Sequence, residues 1–474
     1  MNKKISTHLT ICAIGVGCVA VAICLLVLTR LIDNEPLVAD GKENLTAASI
    51  LIRYRVFSSI DSPAPTPDMM REPAWPFATA GLLLLTGLDQ VEPHCLAIQH
   101  HCVFKVLNAV ILALVAGLAS GLAWSMSRNR IAAWGLTVIV ACITFTTIPR
   151  MVNRFNNDPM AMLLLTIVSA LTYFSMKGTW RSWVGLGLVL GFLALTKAQF
   201  LYIAVVPIVA VACFSLKRAG FVLLTFVLVV TPWLARNTRL YGEPAISVRG
   251  KTVAAVRLIM VTKYANSELA CMAYAFTHPR WRGFVGGVIG VEPDDFDQGG
   301  KCQRFNREIA FDMGIERVGA SPFAQDITAM NGGDWRCAVQ YFYQGMALGR
   351  ELEAGHHRLS EVAPFSLDNL ARYVKTLPLF AWRGLGFSGF PILSILLTVS
   401  MFFLLMTRAW PLAVLAIASH VFHLALTHNI PRYHAVELGV MIMSMVYFFD
   451  EALGFICDRW KIAHRLRGCH GVKP

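Results

Sequence analysis

Apolar residues gather in runs near the length of a bilayer crossing, about 20 residues. They cover 9–31, 103–125, 131–148, 159–176, 221–235, 388–407, 410–427 and 434–450, and each predicts a helix. The stretch 183–214 is apolar throughout except for Lys197 and Gln199 near its middle. One tilted helix or two short ones would fit its length. Charge decides between them, because Lys and Arg concentrate in cytoplasmic loops. Lys177 and Arg181 precede the stretch, and Lys217 and Arg218 follow it. With both groups inside, the chain crosses twice and turns near Lys197, which can snorkel to the far interface.

The pattern therefore predicts an all-α polytopic membrane protein of about ten transmembrane helices with both termini cytoplasmic. Its inside loops hold Lys3/Lys4, Arg128/Arg130, Lys177/Arg181, Lys217/Arg218, Arg408 and the basic tail Arg459 to Lys473. The run 9–31 is longer than a signal-peptide core of about 7–15 residues and reads as a retained anchor. Residues 1–235 form an N-terminal transmembrane module, with a first outside loop at 32–101. Residues 236–387 form an extracytoplasmic segment, and 388–474 the last helices and tail. The middle segment mixes both signs of charge with aromatic and apolar residues, which predicts a folded cap. "AWPFATAGLLLLTG" (74–87) and "SLDNLARYVKTLPLFAWRG" (366–384) are too short or too mixed to span. They read as helices along the membrane surface, with Trp75 and Trp382 at headgroup depth.

Composition sharpens this picture. Of 474 residues, 56% are hydrophobic and only 15% charged, against about 25% charged in ordinary globular domains. Mean hydropathy is +0.56, which excludes a soluble domain. The net charge of +13 follows from basic inside loops, so nucleic acid is not an expected partner. The twelve cysteines include no CxxC pair. Cys12, Cys18, Cys24, Cys142 and Cys213 lie in apolar runs and are expected to pack. Cys271, Cys302 and Cys337 fall in the outside segment, where a disulfide is allowed but its pairing is open.

Candidate chemistry lies at the outside ends of the runs. The first outside loop carries Asp33, Glu35, Asp40 and Glu43, any of which can take a proton from an attacking hydroxyl. Acids that merely solvate the loop are the plain alternative. "REPAWP" adds Arg71 and Glu72, read either as a surface pair or as groups shaping a site. "PRMVNRFNNDPM" brings Arg150, Arg154 and Asp158 into a short second loop. Lys197, the pair Arg236/Arg239 in "TPWLARNTRLYGEP" and Arg432 in "NIPRYH" break the charge-bias rule at the same side. Together they suggest a cationic bowl for an anionic headgroup, with arginine forks on phosphate oxygens.

Weaker signals are discounted. "DDFD" at 294–297 contains a D-x-D, which acidic loops produce by chance. "EPHCLAIQHHC" fits no zinc spacing. Gly117/Gly121 and Gly187/Gly191 let helices approach rather than bind phosphate. The "NLT" at Asn44 is a glycosylation sequon only in a secretory compartment.

These motifs, in this order, resemble the GT-C superfamily of polytopic glycosyltransferases. The likeness is to bacterial members similar to dolichyl-phosphate-mannose–protein mannosyltransferases (glycosyltransferase family 39-like), and it covers most of the chain. It rests on the acidic first loop, "REPAWP", "NNDP", "GFLALTK", "PWLARNTRLYGEP" and "IPRYH". Of these, the P-W-x-x-R-N stretch is the most specific. Lys197 stands where the family usually has arginine, and Ala74 where a glycine is usual.

The resemblance implies transfer of a sugar from a polyprenyl-phosphate-linked donor to an extracytoplasmic glycan, lipid or protein acceptor, with inversion. The enzyme would lie in the inner (plasma) membrane, its active site facing the periplasm or exterior. Asp40 matches the catalytic base, with Asp33 and Glu35 as rivals, and Asp158 matches a second loop acid. Arg236, Arg239, Lys197 and Arg432 would hold the donor phosphate. Asp33, Glu35, Arg71 and Glu72 would line the loop and acceptor region. No cofactor or metal ligand is assigned, although a divalent cation is compatible. A lipid-linked-sugar flippase or transporter is the competing reading.

Overall fold

The computed structural model describes residues 3–37, 40–147, 149–176, 178–297, 300–305, 340–353, 366–385, 391–427 and 431–469. Among these residues there is no strand. Five helices are long and apolar enough to cross a membrane, with spans at Cys12–Thr29, His101–Met126, Asp158–Ser175, Leu216–Tyr241 and Ala435–Phe455. Six shorter apolar helices accompany them. The chain is thus an all-α protein with membrane-spanning character.

In chain order, α1 is Lys3–Thr29, α2 Asp40–Tyr54, α3 Ala74–Thr86, α4 Pro93–Gln99, α5 His101–Met126 and α6 Arg130–Thr147. Then come α7 (Pro149–Asn153), α8 (Asp158–Ser175), α9 (Trp180–Thr196), α10 (Phe200–Ile203), α11 (Val205–Ala212) and α12 (Leu216–Tyr241). The middle segment gives α13 (Arg249–Thr262), α14 (Leu269–Phe276), α15 (Pro279–Ile289), α16 (Gln340–Glu353) and α17 (Leu367–Gly384). The chain finishes with α18 (Pro391–Phe403), α19 (Trp410–Leu426), α20 (Pro431–His434) and α21 (Leu438–Cys469). Among the described residues every apolar run of the sequence is helical.

The ambiguous stretch resolves into two arms. Helix α9 stops at Thr196, Lys197 is extended, and α10–α11 carry the chain back. The return is visible at the far end. Arg218 at the start of α12 donates to the Met176 carbonyl and lies 5.3 Å from the Trp183 ring of α9. Helices α9 and α12 therefore run parallel and pack on each other, and the intervening arm returns the chain antiparallel to both. Glycine permits the contact: a Cβ on Gly187 would lie 2.5 Å from the Val222 carbonyl oxygen, and one on Gly191 2.6 Å from Val229 Cβ. Gly117 meets Gly17 of α1 in the same manner. Both GxxxG pairs are close-approach surfaces, as their spacing predicts.

Helices α5 and α8 begin together, because Asn108 donates to the Met151, Val152 and Arg154 carbonyls just before α8. Their far ends, near Ser127 and Ser175, meet the turns that carry Arg128, Arg181 and Arg218. At this end Asp450 accepts from the Arg128 and Asn129 backbone N–H groups, which anchors α21. The basic turns thus share one end of the bundle, and the acidic first loop lies at the other. Between them sits a core of Leu112, Ala116, Phe145, Leu165, Leu190, Leu193, Leu412 and Met441.

Residues 256–380 build a separate core from Val256, Met260, Tyr264, Met272, Tyr274, Phe296 and Phe380. A disulfide joins Cys271 to Cys302 inside it, and Cys337 lies outside the described residues. Two expectations change. Trp75 is 1% exposed and packs on Phe155 at 4.9 Å, so it is a core residue rather than an interfacial anchor. Hydrophobic burial outweighs interfacial placement because α3 presses on α2. Cys12, Cys18 and Cys213 are exposed on helix surfaces, and only Cys24 is fully packed, beside Cys142.

Candidate functional site

The end of α12 explains how the site is assembled. Gly242 takes a left-handed φ of 73° and caps the helix through its N–H to the Thr238 carbonyl. That conformation costs glycine little, and it turns the chain back along the helix. Trp233 and Asn237, one turn apart on the same face, then clasp the returning segment. Trp233 Nε1 donates to the Ile246 carbonyl at 3.0 Å, and Asn237 Nδ2 to the Ala245 carbonyl at 2.6 Å. Two residues later the Val248 N–H donates to Met69 of the first loop at 3.0 Å. The clasp delivers Arg249 to the start of α2.

There Asp40, the first residue of α2, receives two arginines. Arg71 Nη2 and Arg249 Nη1 each donate to its Oδ1 at 2.9 Å. Glu43 accepts from the same two guanidiniums, from Arg249 at 3.2 Å. Arg71 is 3% exposed, whereas the Arg249 side chain is 33% exposed. Burial would lower the Arg249 pKa, but the Asp40 and Glu43 carboxylates outweigh it and raise the value above normal.

The next residue, Glu72, links this cluster to a second one. Its carboxylate accepts from Ser247 and from Asn157 Nδ2, each at 3.4 Å. Asn157 also donates to the Thr196 carbonyl at 2.7 Å. Adjacent in sequence to both, Asp158 and Lys197 form an ion pair at 2.6 Å. The pair is buried, and Asn156 Nδ2 donates to the other Asp158 oxygen at 2.8 Å. Lys197 Nζ lies 5.6 Å from the Tyr433 ring centroid. Asp40, Arg71, Arg249, Glu72, Asn157, Asp158, Lys197 and Tyr433 thus form one polar wall.

The other expected residues fall elsewhere. Arg71 and Glu72 are not a surface pair with each other, because each is drawn to its own partners in the wall. Asp33 is held by Lys105 and by its own N–H to Asn153 Oδ1, and Lys105 also caps the Glu35 carbonyl at 2.6 Å. Lys105 is 1% exposed. These contacts fix the entry of the loop, and the Glu35 side chain is exposed. Arg236 stacks over Trp233 at 4.5 Å and donates to the Asp68 carbonyl at 3.3 Å and Asn237 Oδ1 at 2.7 Å. Three extended residues span at most about 11 Å, so Arg236 lies at the same end as Arg71. Arg239 is exposed on the last turn of α12. The side chains of Arg150 and Arg432 lie outside the described residues.

Sequence reading missed Arg249, Lys105 and a buried histidine group around Glu437. Arg249 sits seven residues beyond Gly242 in a segment with no charge anomaly, so only the fold could find it. The "DDFD" loop has a structural use: the Glu292 N–H and Lys301 both engage Asp295 and hold its pKa below the usual carboxylate range.

Taken together, the fold and the wall define a helical membrane protein with a two-signed polar site at one end of its bundle. No protein-family model matches the chain, and no curated protein matches it.

Proposed function

We propose that the chain is a GT-C-type glycosyltransferase that uses a sugar on a polyprenyl phosphate. The observation that supports this best is Asp40 seated between Arg71 and Arg249, on one wall with the Asp158–Lys197 pair. An acceptor hydroxyl would attack the anomeric carbon and pass its proton to Asp40. The bond from that carbon to phosphate oxygen would break, and the lipid phosphate would leave with the electron pair. A phosphate leaving group needs little acid assistance, so one base suffices for a single inverting displacement.

Arg249, the partly exposed arginine beside the base, would bind the donor phosphate and stabilise the charge that develops on it. Lys197 and Arg236 would extend the positive field. The site would face the periplasm or exterior of the plasma membrane, because the basic turns at the opposite end favour the cytoplasm. The Cys271–Cys302 bridge supports the same orientation, since disulfides persist in oxidising compartments.

One observation belongs to the rival transporter reading. His423, His434 and Glu437 lie buried among apolar helices, with the partly buried His420 beside them, where ionisable groups often mark a transport path. The test is transfer in detergent from polyprenyl-phosphate sugars to acceptors, with Asp40→Asn as control. Transfer by the wild type but not the variant supports the enzyme. A lipid extract of a deletion strain should then show a stranded carrier-linked sugar by mass spectrometry. Movement of an intact lipid-linked sugar across proteoliposomes, without transfer, supports the rival.

A further inference from the structure

Four ionisable side chains meet within the helix bundle beside Lys197. His420 and His423 sit one turn apart on α19, in "SHVFH". His434 and Glu437 share the same spacing across the turn into α21, in "RYHAVE". His420 Nδ1 lies 2.9 Å and His434 Nδ1 3.3 Å from the same Glu437 oxygen, Oε2. His423 Nδ1 lies 3.5 Å from the other, Oε1. The ligand atoms of His420, His434 and Glu437 all fall within 4.8 Å of one another.

We propose that this cluster binds a divalent first-row transition ion, zinc by preference. His420, His434 and Glu437 are its ligands, and His423 stands beside them against the other Glu437 oxygen. The spacing fits: at Zn–N bonds of about 2.0–2.1 Å, two tetrahedral donors sit roughly 3.3 Å apart. Charge calls for a cation as well. Glu437 is 0% exposed, and a buried carboxylate is costly without a positive partner. Among the described residues no lysine or arginine is seen to reach it, and Lys197 is already paired with Asp158.

A second observation points to the same place. His423 Nε2 and the Gln199 Oε1 carbonyl oxygen are 2.9 Å apart, an arrangement in which Nε2 donates when it carries the imidazole proton. Nδ1 is then a bare lone pair. It faces Glu437 Oε1, and neither atom has a hydrogen-bond partner, although both are fully buried. In that tautomer two buried acceptors face each other, and a cation between them would relieve the repulsion. Gln199 would fix the tautomer of the His423 imidazole beside the ligands.

The ion would pin α19 to the start of α21 and fix Tyr433, whose ring stacks on His423 at 5.1 Å. This role goes beyond the transferase reading and does not depend on it. The test is metal content of the full chain, purified in detergent without added metal and free of an affinity tag that binds metal. Plasma mass spectrometry should find about one transition ion per chain. Glu437→Gln should lower that content at least tenfold, and His94→Ala, a change at the protein surface, should leave it intact. Cobalt loaded after chelation should give the visible d–d bands of a tetrahedral site. A monodisperse wild-type protein with neither metal nor cobalt bands would overturn the proposal, as would Glu437→Gln retaining the wild-type content.

Discussion

Arg71 and Arg249 place their guanidinium nitrogens at the same distance, 2.9 Å, from a single oxygen of Asp40. One comes from the first loop and the other from 209 residues beyond Asp40. Their surroundings differ. Arg71 is enclosed and acts as a fixed strut, whereas Arg249 keeps part of its side chain exposed.

This difference gives the first prediction. Arg249→Ala should lower turnover by about 10²–10³-fold, the usual loss for one donor aimed at developing charge. Arg249→Lys should recover only part, because an ammonium lacks the bidentate fork. Arg71→Ala should instead reduce the yield of folded protein. Steady-state kinetics beside size-exclusion profiles separate the two outcomes, and an Arg249→Ala enzyme with wild-type turnover would remove Arg249 from the site.

The Asp158–Lys197 pair predicts an asymmetry in stability. Removing one partner of a buried ion pair costs about 3–5 kcal/mol, because the other charge stays behind unpaired. Lys197→Met alone should therefore melt well below the wild type. The double change Asp158→Leu with Lys197→Met should regain much of the loss. Thermal unfolding in detergent reads this directly, and a double variant no better than the single one would argue against a simple charge effect.

Close approach at Gly187 predicts a size limit. Gly187→Ala should destabilise by about 1–3 kcal/mol, the usual penalty for overpacking, because its Cβ has the Val222 backbone 2.5 Å away. Gly185→Ala, two residues earlier on the same helix, meets nothing within 4 Å and should be neutral or slightly stabilising. Equal melting temperatures for the two variants would contradict the packing.

Tyr341 gives a pH dependence. Burial first, and then its contact with Glu268, push the phenol up to about 12, while Arg304 pulls the other way. In the unfolded chain it titrates near its ordinary value of 10.0. The folded state therefore keeps a proton that the unfolded chain releases. The stability this contributes is complete below the unfolded value and is lost as pH rises from there toward 12. Unfolding followed between pH 9 and 12 should show this loss in the wild type, and Tyr341→Phe should flatten it.

Much of the fold was legible because apolar runs record helices directly. The turn at Lys197 was legible for a different reason: basic pairs flank the stretch on both sides, and both had to reach one end. Asp158 and Lys197 were each marked as charges at helix tips, but their pairing was not, since it depends on α8 and α9 meeting. Trp75 misled because an aromatic at the start of a short apolar helix looks the same whether it faces lipid or a neighbouring helix. Arg249 was invisible because its position depends on a turn at Gly242 and a clasp by Trp233 and Asn237. The motif that drew attention to Arg236 works in part as that clasp. The histidine cluster escaped because its two halves, at 420–423 and 434–437, are each short and ordinary alone.

The glycine-lined seam between α9 and α12 has a consequence for how a greasy substrate would arrive. Where backbone touches side chain without a gap, no isoprenoid tail can slide through, so that flank of the barrel of helices is shut. A long-tailed donor would have to enter by another gate, and a bulky photo-crosslinking prenyl analogue should label residues away from Gly187 and Gly191.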